Sequence, residues 1–238
     1  MTVALITGSS QGIGLAIAKV LLDFQDTVVL AARSEEKLKT AAAQLERDTK
    51  HIVTLPTDMA DPDQIDRLVQ FIRDRFGRLD ILVHAAGRYD SGPWAEIDEH
   101  DLMAVNYHGP VRLTTRLLPF LAPNEGQIVF INSTQGLQAG RNTGAYAASK
   151  FALRAFADSL RAELNPSGIR VLTVFAGSTA TPMQASLHEK AGRAYRPEEF
   201  LQPADVAAMV AAALRLPRTA EVTELTIRPL QPPRQPTG

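Results

Sequence analysis

Tyr146 and Lys150 stand one helical turn apart in Tyr146-Ala147-Ala148-Ser149-Lys150. On a helix, that spacing makes the phenol and the ammonium project from one face. A tyrosine hydroxyl has an ordinary pKa of about 10 and is a poor acid or base at neutral pH unless a nearby cation favours its phenolate. Lys150 is placed to be that cation and so to lower the pKa of Tyr146. The chain has four tyrosines, and Tyr89, Tyr107 and Tyr195 have Pro93, Val111 and Glu199 at the same offset. Tyr146 alone has the pairing. Upstream, Ser133 closes an apolar run, where its hydroxyl can begin a turn or serve a reacting oxygen.

A glycine turn near the start of the chain is the second feature. Val3-Ala4-Leu5-Ile6 is followed by Thr7-Gly8-Ser9-Ser10-Gln11-Gly12-Ile13-Gly14 and then by the helix-like Leu15-Ala16-Ile17-Ala18-Lys19-Val20-Leu21-Leu22. Strand, glycine turn and helix in that order let a backbone approach a pyrophosphate while helix N-terminal amides point at its charge.

The two features, with the spacing Gly8-x-x-x-Gly12-x-Gly14, resemble the short-chain dehydrogenase/reductase family over nearly the whole chain. Further matches fall in family order: Asp58, Gly87 closing His84-Ala85-Ala86-Gly87, Asn106 in Val105-Asn106-Tyr107-His108-Gly109, and Ser133 in Ile131-Asn132-Ser133-Thr134. The segment Ala176-Gly177-Ser178-Thr179-Ala180-Thr181-Pro182 looks like the family's loop against the nicotinamide. Two positions depart from the pattern. The family's usual Asn-Asn-Ala-Gly is His84-Ala85-Ala86-Gly87 here, and Ala176 stands where its loop begins with proline.

The resemblance implies an oxidoreductase in which Asn106, Ser133, Tyr146 and Lys150 are catalytic. Tyr146 moves the proton, and Lys150 also holds the nicotinamide ribose. Ser133 donates to the substrate oxygen, and Asn106 holds a water linked to the lysine. It further implies cofactor contacts from Gly8, Ser10, Gln11, Gly12, Ile13, Gly14, Arg33, Ser34, Asp58, Met59, Ala85, Ala86, Gly87, Gly177, Thr179 and Thr181, beside Tyr146 and Lys150. Taken without the resemblance, Asn106 and Asp58 could each cap a helix.

With 238 residues and 45% hydrophobic content, the chain can bury a substantial core. Residues 1–228 are expected to form one dinucleotide-binding catalytic domain, and residues 229–238 a proline-rich tail that can form neither helix nor ladder. Twenty-five basic against twenty-six acidic side chains leave a net charge of −1. No broad field therefore favours nucleic acid or an anionic membrane. There is no cysteine, so disulfides and thiolate metal sites are excluded. No two of the five histidines stand one helical turn apart, and no metal is expected. No leader-like segment or long apolar run stands out, and a cytoplasmic protein is expected.

Strands are expected near Val3–Thr7, Thr27–Ala32, Ile52–Pro56, Leu79–His84, Gln127–Asn132, Arg170–Phe175 and Val222–Ile227, with helical patterns between them. Such alternation predicts an α/β fold of Rossmann type: a doubly wound, mostly parallel seven-stranded sheet with helices on both faces. Ligands then bind at the carboxyl ends of the strands, which gathers Gly8, Arg33, Asp58, Gly87, Ser133 and Gly177 along one edge.

The second strand ends in Ala32 where NAD-selecting enzymes of this fold carry an acid, and Arg33 with Ser34 follows. An arginine there can give a forked, charge-assisted bond to a 2′-phosphate, which predicts NADP(H) over NAD(H). Ser9 and Ser34 are expected to add hydroxyl donors. Substrate-lining candidates are Tyr89, Trp94, Gln135, Leu137, Arg141, Met183 and Tyr195, with residues from Met183 to Phe200 as a lid.

The activity expected is reduction of a small or ring-containing carbonyl compound, or the reverse oxidation of an alcohol. The alternatives are a 3-oxoacyl-(acyl carrier protein) reductase and a non-catalytic dinucleotide sensor. The turn Pro123-Asn124-Glu125-Gly126 offers no basic surface for an acidic carrier. Apolar surplus on Val111–Leu121 and Phe151–Leu164, as at Phe151, Leu153, Phe156 and Leu160, predicts a homotetramer or a dimer.

Overall fold

The computed structural model describes residues 1–45, 51–122 and 125–231. Part of the charged run ending at Arg47, the residues Pro123 and Asn124 of the expected carrier-facing turn, and most of the proline-rich tail lie outside the described residues.

Seven parallel strands form one sheet in the order β3-β2-β1-β4-β5-β6-β7. They are β1 (Val3–Thr7), β2 (Thr27–Ala32), β3 (Ile52–Pro56), β4 (Ile81–His84), β5 (Gln127–Ser133), β6 (Arg170–Ala176) and β7 (Glu224–Ile227). Parallel neighbours need crossovers, and the helices supply them: α1 (Gly12–Leu21), α2 (Glu35–Gln44), α3 (Pro62–Phe76), α4 (Glu99–Met103), α5 (Gly109–Leu117), α6 (Gly144–Leu164), α7 (Pro182–Lys190) and α8 (Pro203–Leu214). The chain reverses direction across the sheet between β1 and β4, which opens the crevice at the strands' carboxyl ends.

Strands β1 and β2 are buried at every position, as a sheet covered on both faces requires. Two apolar layers flank the sheet. One joins Ile17, Ala18 and Leu21 of α1 to Val206 and Val210 of α8. The other joins Ile65, Leu68 and Ile72 of α3 to Leu113, Leu117, Leu153 and Leu160 of α5 and α6.

Two strands are shorter than the sequence pattern predicts. Leu79 makes only an isolated bridge to Leu121. The side chain of the next residue, Asp80, accepts from the Val3 N–H at 2.7 Å, so a carboxylate stands where a strand neighbour would. At the far edge the Val171 N–H donates to the Glu221 carboxylate at 2.8 Å, and regular pairing with β7 begins only at Glu224.

The apolar surplus expected on the fourth and fifth crossovers is largely consumed inside the protein. Leu153 and Leu160 are core residues, and Phe156 packs edge-on against Phe130. Phe151 remains on the surface, 42% exposed.

Candidate active site

The catalytic candidates come from two adjoining elements. Helix α6 runs for 21 residues and carries Tyr146 and Lys150 in its first two turns. Strand β5 ends at Ser133, whose Oγ accepts from the Gln135 N–H at 3.1 Å and so begins the following turn. The same hydroxyl is hydrogen-bonded to the Tyr146 phenol. Turn and phenol thus both use Ser133.

Helix and strand are held in register by Asn132, which the sequence reading passed over. Its Nδ2 donates to the Lys150 carbonyl at 3.0 Å and its Oδ1 accepts from the Ser133 N–H at 2.7 Å. A buried amide just inside the end of an otherwise apolar strand was the available signal. Ser149 was also missed. It is fully buried, donates to the Tyr146 carbonyl at 2.7 Å and accepts from Asn106 Nδ2 at 3.0 Å.

Asn106 lies in a single π-helical turn, Ala104–His108, between α4 and α5. It caps no helix. Its Nδ2 donates to the Arg88 carbonyl and to Ser149, and its Oδ1 accepts from the Arg88 N–H at 2.8 Å. Both amide protons are therefore committed to protein acceptors, and the side chain acts as a brace between the loop after β4 and α6.

Lys150 is 4% exposed, and its Nζ donates to the Ile131 carbonyl at 3.2 Å. Burial pulls its pKa down to about 8. Burial also pushes the Tyr146 phenol up to about 12; the Ser133 hydrogen bond acts the other way, and Tyr89 adds to the rise. The expectation that Lys150 lowers the phenol's pKa is thus corrected for this state. Its Nζ sits 5.9 Å from the centre of the Tyr146 ring, and the loss of solvation prevails. At neutral pH Tyr146 holds its proton and Lys150 is largely charged.

The glycine turn meets these residues from the β1 side. Gly8 has φ +66°, and a Cβ there would lie 2.5 Å from the Ala86 nitrogen. A Cβ on Gly14 would lie 2.4 Å from the Gly8 carbonyl oxygen, so neither position admits a side chain. Thr7 Oγ1 accepts from the Ala86 N–H at 3.2 Å, tying this turn to Ala85-Ala86-Gly87. A Cβ on Gly87 would stand 3.5 Å from Asn106 Oδ1 and 3.8 Å from Lys150 Nζ. The floor of the crevice therefore passes from the glycine turn to the lysine.

The amides opening α1 have no side-chain cap and no acid in the first turn, whereas Ser34 caps α2 and Asp61 caps α3. An uncapped helix start beside bare glycine backbone fits a pyrophosphate.

Other cofactor candidates are placed less uniformly. Gln11 precedes α1 with its side chain exposed, Ser10 is half-buried beside it, and Ile13 packs against the core. Thr181 caps α7, and its Cγ2 would be 3.1 Å from a Cβ on Gly12, so the nicotinamide loop returns to the glycine turn. Thr179 donates to the Gly177 carbonyl at 2.8 Å, and Gly177 packs against Arg228 and Pro229.

Asp58 Oδ1 accepts from the Ala60 N–H at 2.9 Å, and the cap of α3 is Asp61 rather than Asp58. The side chain of Met59 is buried in the core. Arg33 is exposed after the buried Ala32. Ser34 Oγ accepts from the Lys37 N–H, which leaves its proton available. Ser9 is fully buried and donates to the Ala31 carbonyl at 3.4 Å, so the expectation that it offers a free hydroxyl is corrected.

The substrate candidates separate into three groups. Tyr89 lies edge-on against Tyr146 at 4.7 Å between ring centres. Gln135 Oε1 is occupied by the Gly140 N–H and the Thr143 hydroxyl, Leu137 is half-buried in the same loop, and Arg141 is exposed beyond it. On the expected lid, Met183 is 41% exposed, while Tyr195 packs with His188 and Phe200 at 5.4 to 5.5 Å. Tyr195 thus belongs to the lid's own aromatic cluster. His84, at the end of β4, is buried. It stacks on Phe130, bonds Thr114 at 2.8 Å, and is driven down to a pKa of about 3 by burial.

A family model described as short chain dehydrogenase matches residues 2–192. The chain belongs to the short-chain dehydrogenase family. An uncharacterized oxidoreductase of Staphylococcus aureus strain USA300 is 34% identical over 234 residues, with 96% of this chain and 97% of that protein covered.

Among solved structures, a variant of the actinorhodin polyketide ketoreductase with NADPH superposes with a TM-score of 0.84 at 31% identity, covering 95% of each chain. An alcohol dehydrogenase from the archaeon Thermococcus sibiricus, complexed with 5-hydroxy-NADP, gives 0.84 at 26% identity over 99% of this chain and 100% of that one. A short-chain dehydrogenase from Burkholderia cenocepacia in complex with NADP gives 0.81 at 30% identity, covering 95% and 96%. This short-chain dehydrogenase is accordingly an oxidoreductase of the nicotinamide-dependent type acting on small molecules. Among the described residues no helix is long and apolar enough to cross a membrane, and no three His, Asp or Glu side chains converge as metal ligands.

Proposed function

We propose that this short-chain dehydrogenase is an NADPH-dependent carbonyl reductase. The observation that carries the reading is the grouping of a phenol, the Ser133 hydroxyl beside it and a buried ammonium one helical turn away, all at the carboxyl-end crevice of the sheet. A protonated Tyr146 is a general acid, which suits reduction of a carbonyl. A bound nicotinamide would supply the hydride that the carbonyl carbon needs. Ser133 donates a hydrogen bond to the carbonyl oxygen, and that bond strengthens as negative charge develops there. The Tyr146 proton then passes to the oxygen, and the alcohol is complete. Lys150 keeps positive charge beside the phenolate that remains. Gly8, Gly12, Gly14 and Gly87 give the cofactor its close backbone approach, and Asn132, Asn106 and Ser149 hold the acid in place.

NADPH preference rests on Arg33 and the free proton of Ser34, at the end of a strand that offers no carboxylate. One charge-assisted bond corresponds to roughly ten- to hundredfold discrimination. The wild type should show at least about tenfold higher kcat/KM with NADPH, and Ala32→Asp combined with Arg33→Ala should reverse the order. Equal kcat/KM for the two cofactors in the wild type would refute the assignment of Arg33. The same reading takes the protein to be cytoplasmic and to work as a tetramer, with Phe151 at a contact between copies.

A further inference from the structure

The catalytic helix begins without the device that ordinarily fixes a helix start. Thr143 stands at its N-cap, but its hydroxyl donates to Gln135 Oε1 at 2.8 Å, and no side chain caps α6. The first turn also lacks an acid, and it opens with Gly144, a residue type that favours a helix less than any but proline. Tyr146 is the third residue of that turn, whose opening N–H groups have no acceptor within a helix. The proton-transfer group therefore sits where α6 has least hold on itself.

The loop that follows β4 supplies a hold from outside. Its root is fixed by Asn106, which bonds both the N–H and the carbonyl of Arg88. Tyr89 lies edge-on against Tyr146. The Gly92 N–H donates at 2.9 Å to the carbonyl of Asn142, just before α6 begins. Trp94 then opens a short 3-10 turn and brings the benzo part of its indole onto Gly144. A Cβ on Gly144 would stand 2.6 Å from Cε3 and Cζ3 of that ring. The backbone of Gly144 is helical, which any residue can adopt, so the indole and not the turn calls for glycine. Around this contact the two loops enclose a cavity of about 280 Å³, so they are not packed solidly together. Trp94 is the largest side chain lining that cavity, and at 61% exposed it leaves the rest of its ring in water.

We propose that Trp94 is a positioning residue for the reaction: it steadies the uncapped first turn of α6 and, through that turn, holds Tyr146 beside Ser133. Gly144 is its bare seat. The inference rests on the carbonyl reductase reading and deepens it, giving Trp94 a task other than the substrate lining expected from sequence.

The test uses the full-length protein, NADPH and three carbonyl probes: benzaldehyde, acetophenone and ethyl 3-oxobutanoate. Hydrogen exchange of residues 144–150, followed by mass spectrometry, reads the helix start without reference to activity. Trp94→Ala should lower kcat about tenfold or more, leave KM and the Kd for NADPH within about threefold, and speed exchange in that segment. Trp94→Phe, which keeps a flat ring, should restore both. Gly144→Ala gives the sharper contrast. In an isolated helix alanine is the better residue, yet here its methyl displaces the indole, so kcat should fall about tenfold as well. Combined with Trp94→Ala it should cost no more than either change alone, because the shared contact is lost only once.

A rise in KM at unchanged kcat in Trp94→Ala would overturn the inference and make the residue a substrate contact. Unchanged exchange in both single variants, or losses that multiply in the double variant, would overturn it as well. Turnover unaffected by either change would overturn it and leave the reductase reading standing. Faster exchange that Trp94→Phe reverses, with no turnover of any probe by the wild type, would support the hold of Trp94 on α6 and overturn the reductase reading.

Discussion

Replacing Lys150 by methionine should make the cofactor-free protein's stability lose most of its dependence on pH between 7 and 9.5. Lys150 has an ordinary pKa of 10.5 and is held at about 8 by burial. The unfolded chain therefore keeps this proton between pH 8 and 10.5, where the folded chain has released it. A base with a lowered folded pKa destabilises the fold fully below pH 8 and progressively less as pH rises through the window, so wild-type stability climbs. The full difference, at 1.36 kcal/mol per pKa unit, is about 3 kcal/mol. About 2 kcal/mol of it is recovered between pH 7 and 9.5.

Methionine keeps much of the stem but not the charge, and it leaves the Ile131 carbonyl without its donor at a pH-independent cost of about 1–3 kcal/mol. The difference between the two proteins should thus shift by about 2 kcal/mol over the range, or about 4–8 °C in Tm for a chain of this size. The upper limit of pH 9.5 matters because Tyr146 acts oppositely. Its pKa is raised from 10.0 to about 12, so above pH 10 the unfolded chain ionises first and stability falls. Equilibrium urea unfolding of both proteins at pH 7, 8, 9 and 9.5 would measure the shift. Parallel curves, with a difference constant to within about 0.5 kcal/mol, would refute the argument that Lys150 is charged at the cost of its burial.

Tyr146→Phe should lower kcat by about a hundredfold to ten-thousandfold while leaving the Kd for NADPH within about threefold, because the ring is kept and only the proton is lost; stopped assays and fluorescence titration of the nucleotide separate the two. Assembly as a tetramer should appear in static light scattering at micromolar concentration, and Phe151→Glu should weaken it by placing a charge on an exposed apolar contact; a wild-type monomer would refute it.

Sequence alone determined the order of elements and the chemical pairings that are local. Strands β1, β2 and β3 begin and end where the apolar runs and their turn residues predict, and in β1 and β2 burial on both faces writes itself as a continuous run. Tyr146 and Lys150 share a face because helical periodicity is a property of the chain between them. The glycine turn was legible as a local pattern, in which backbone a few residues away excludes a side chain at Gly14, whereas the obstacle at Gly8 is the distant backbone of Ala85 and Ala86.

What tertiary structure decided involves groups far apart in sequence. The ends of β4 and β7 depend on the carboxylates of Asp80 and Glu221, which take a strand's place at N–H groups 77 and 50 residues distant. Asn132, Ser149 and Asn106 became visible as supports only when strand, helix and loop were brought together. Ser9 looked like a ligand donor until the neighbouring strand supplied its carbonyl. Above all, the direction of the phenol's pKa shift reversed. Spacing in the chain predicts a cation lowering a phenol's pKa, but the packed surroundings remove water from both groups, and solvation is a property of the volume around a side chain rather than of its neighbours in sequence.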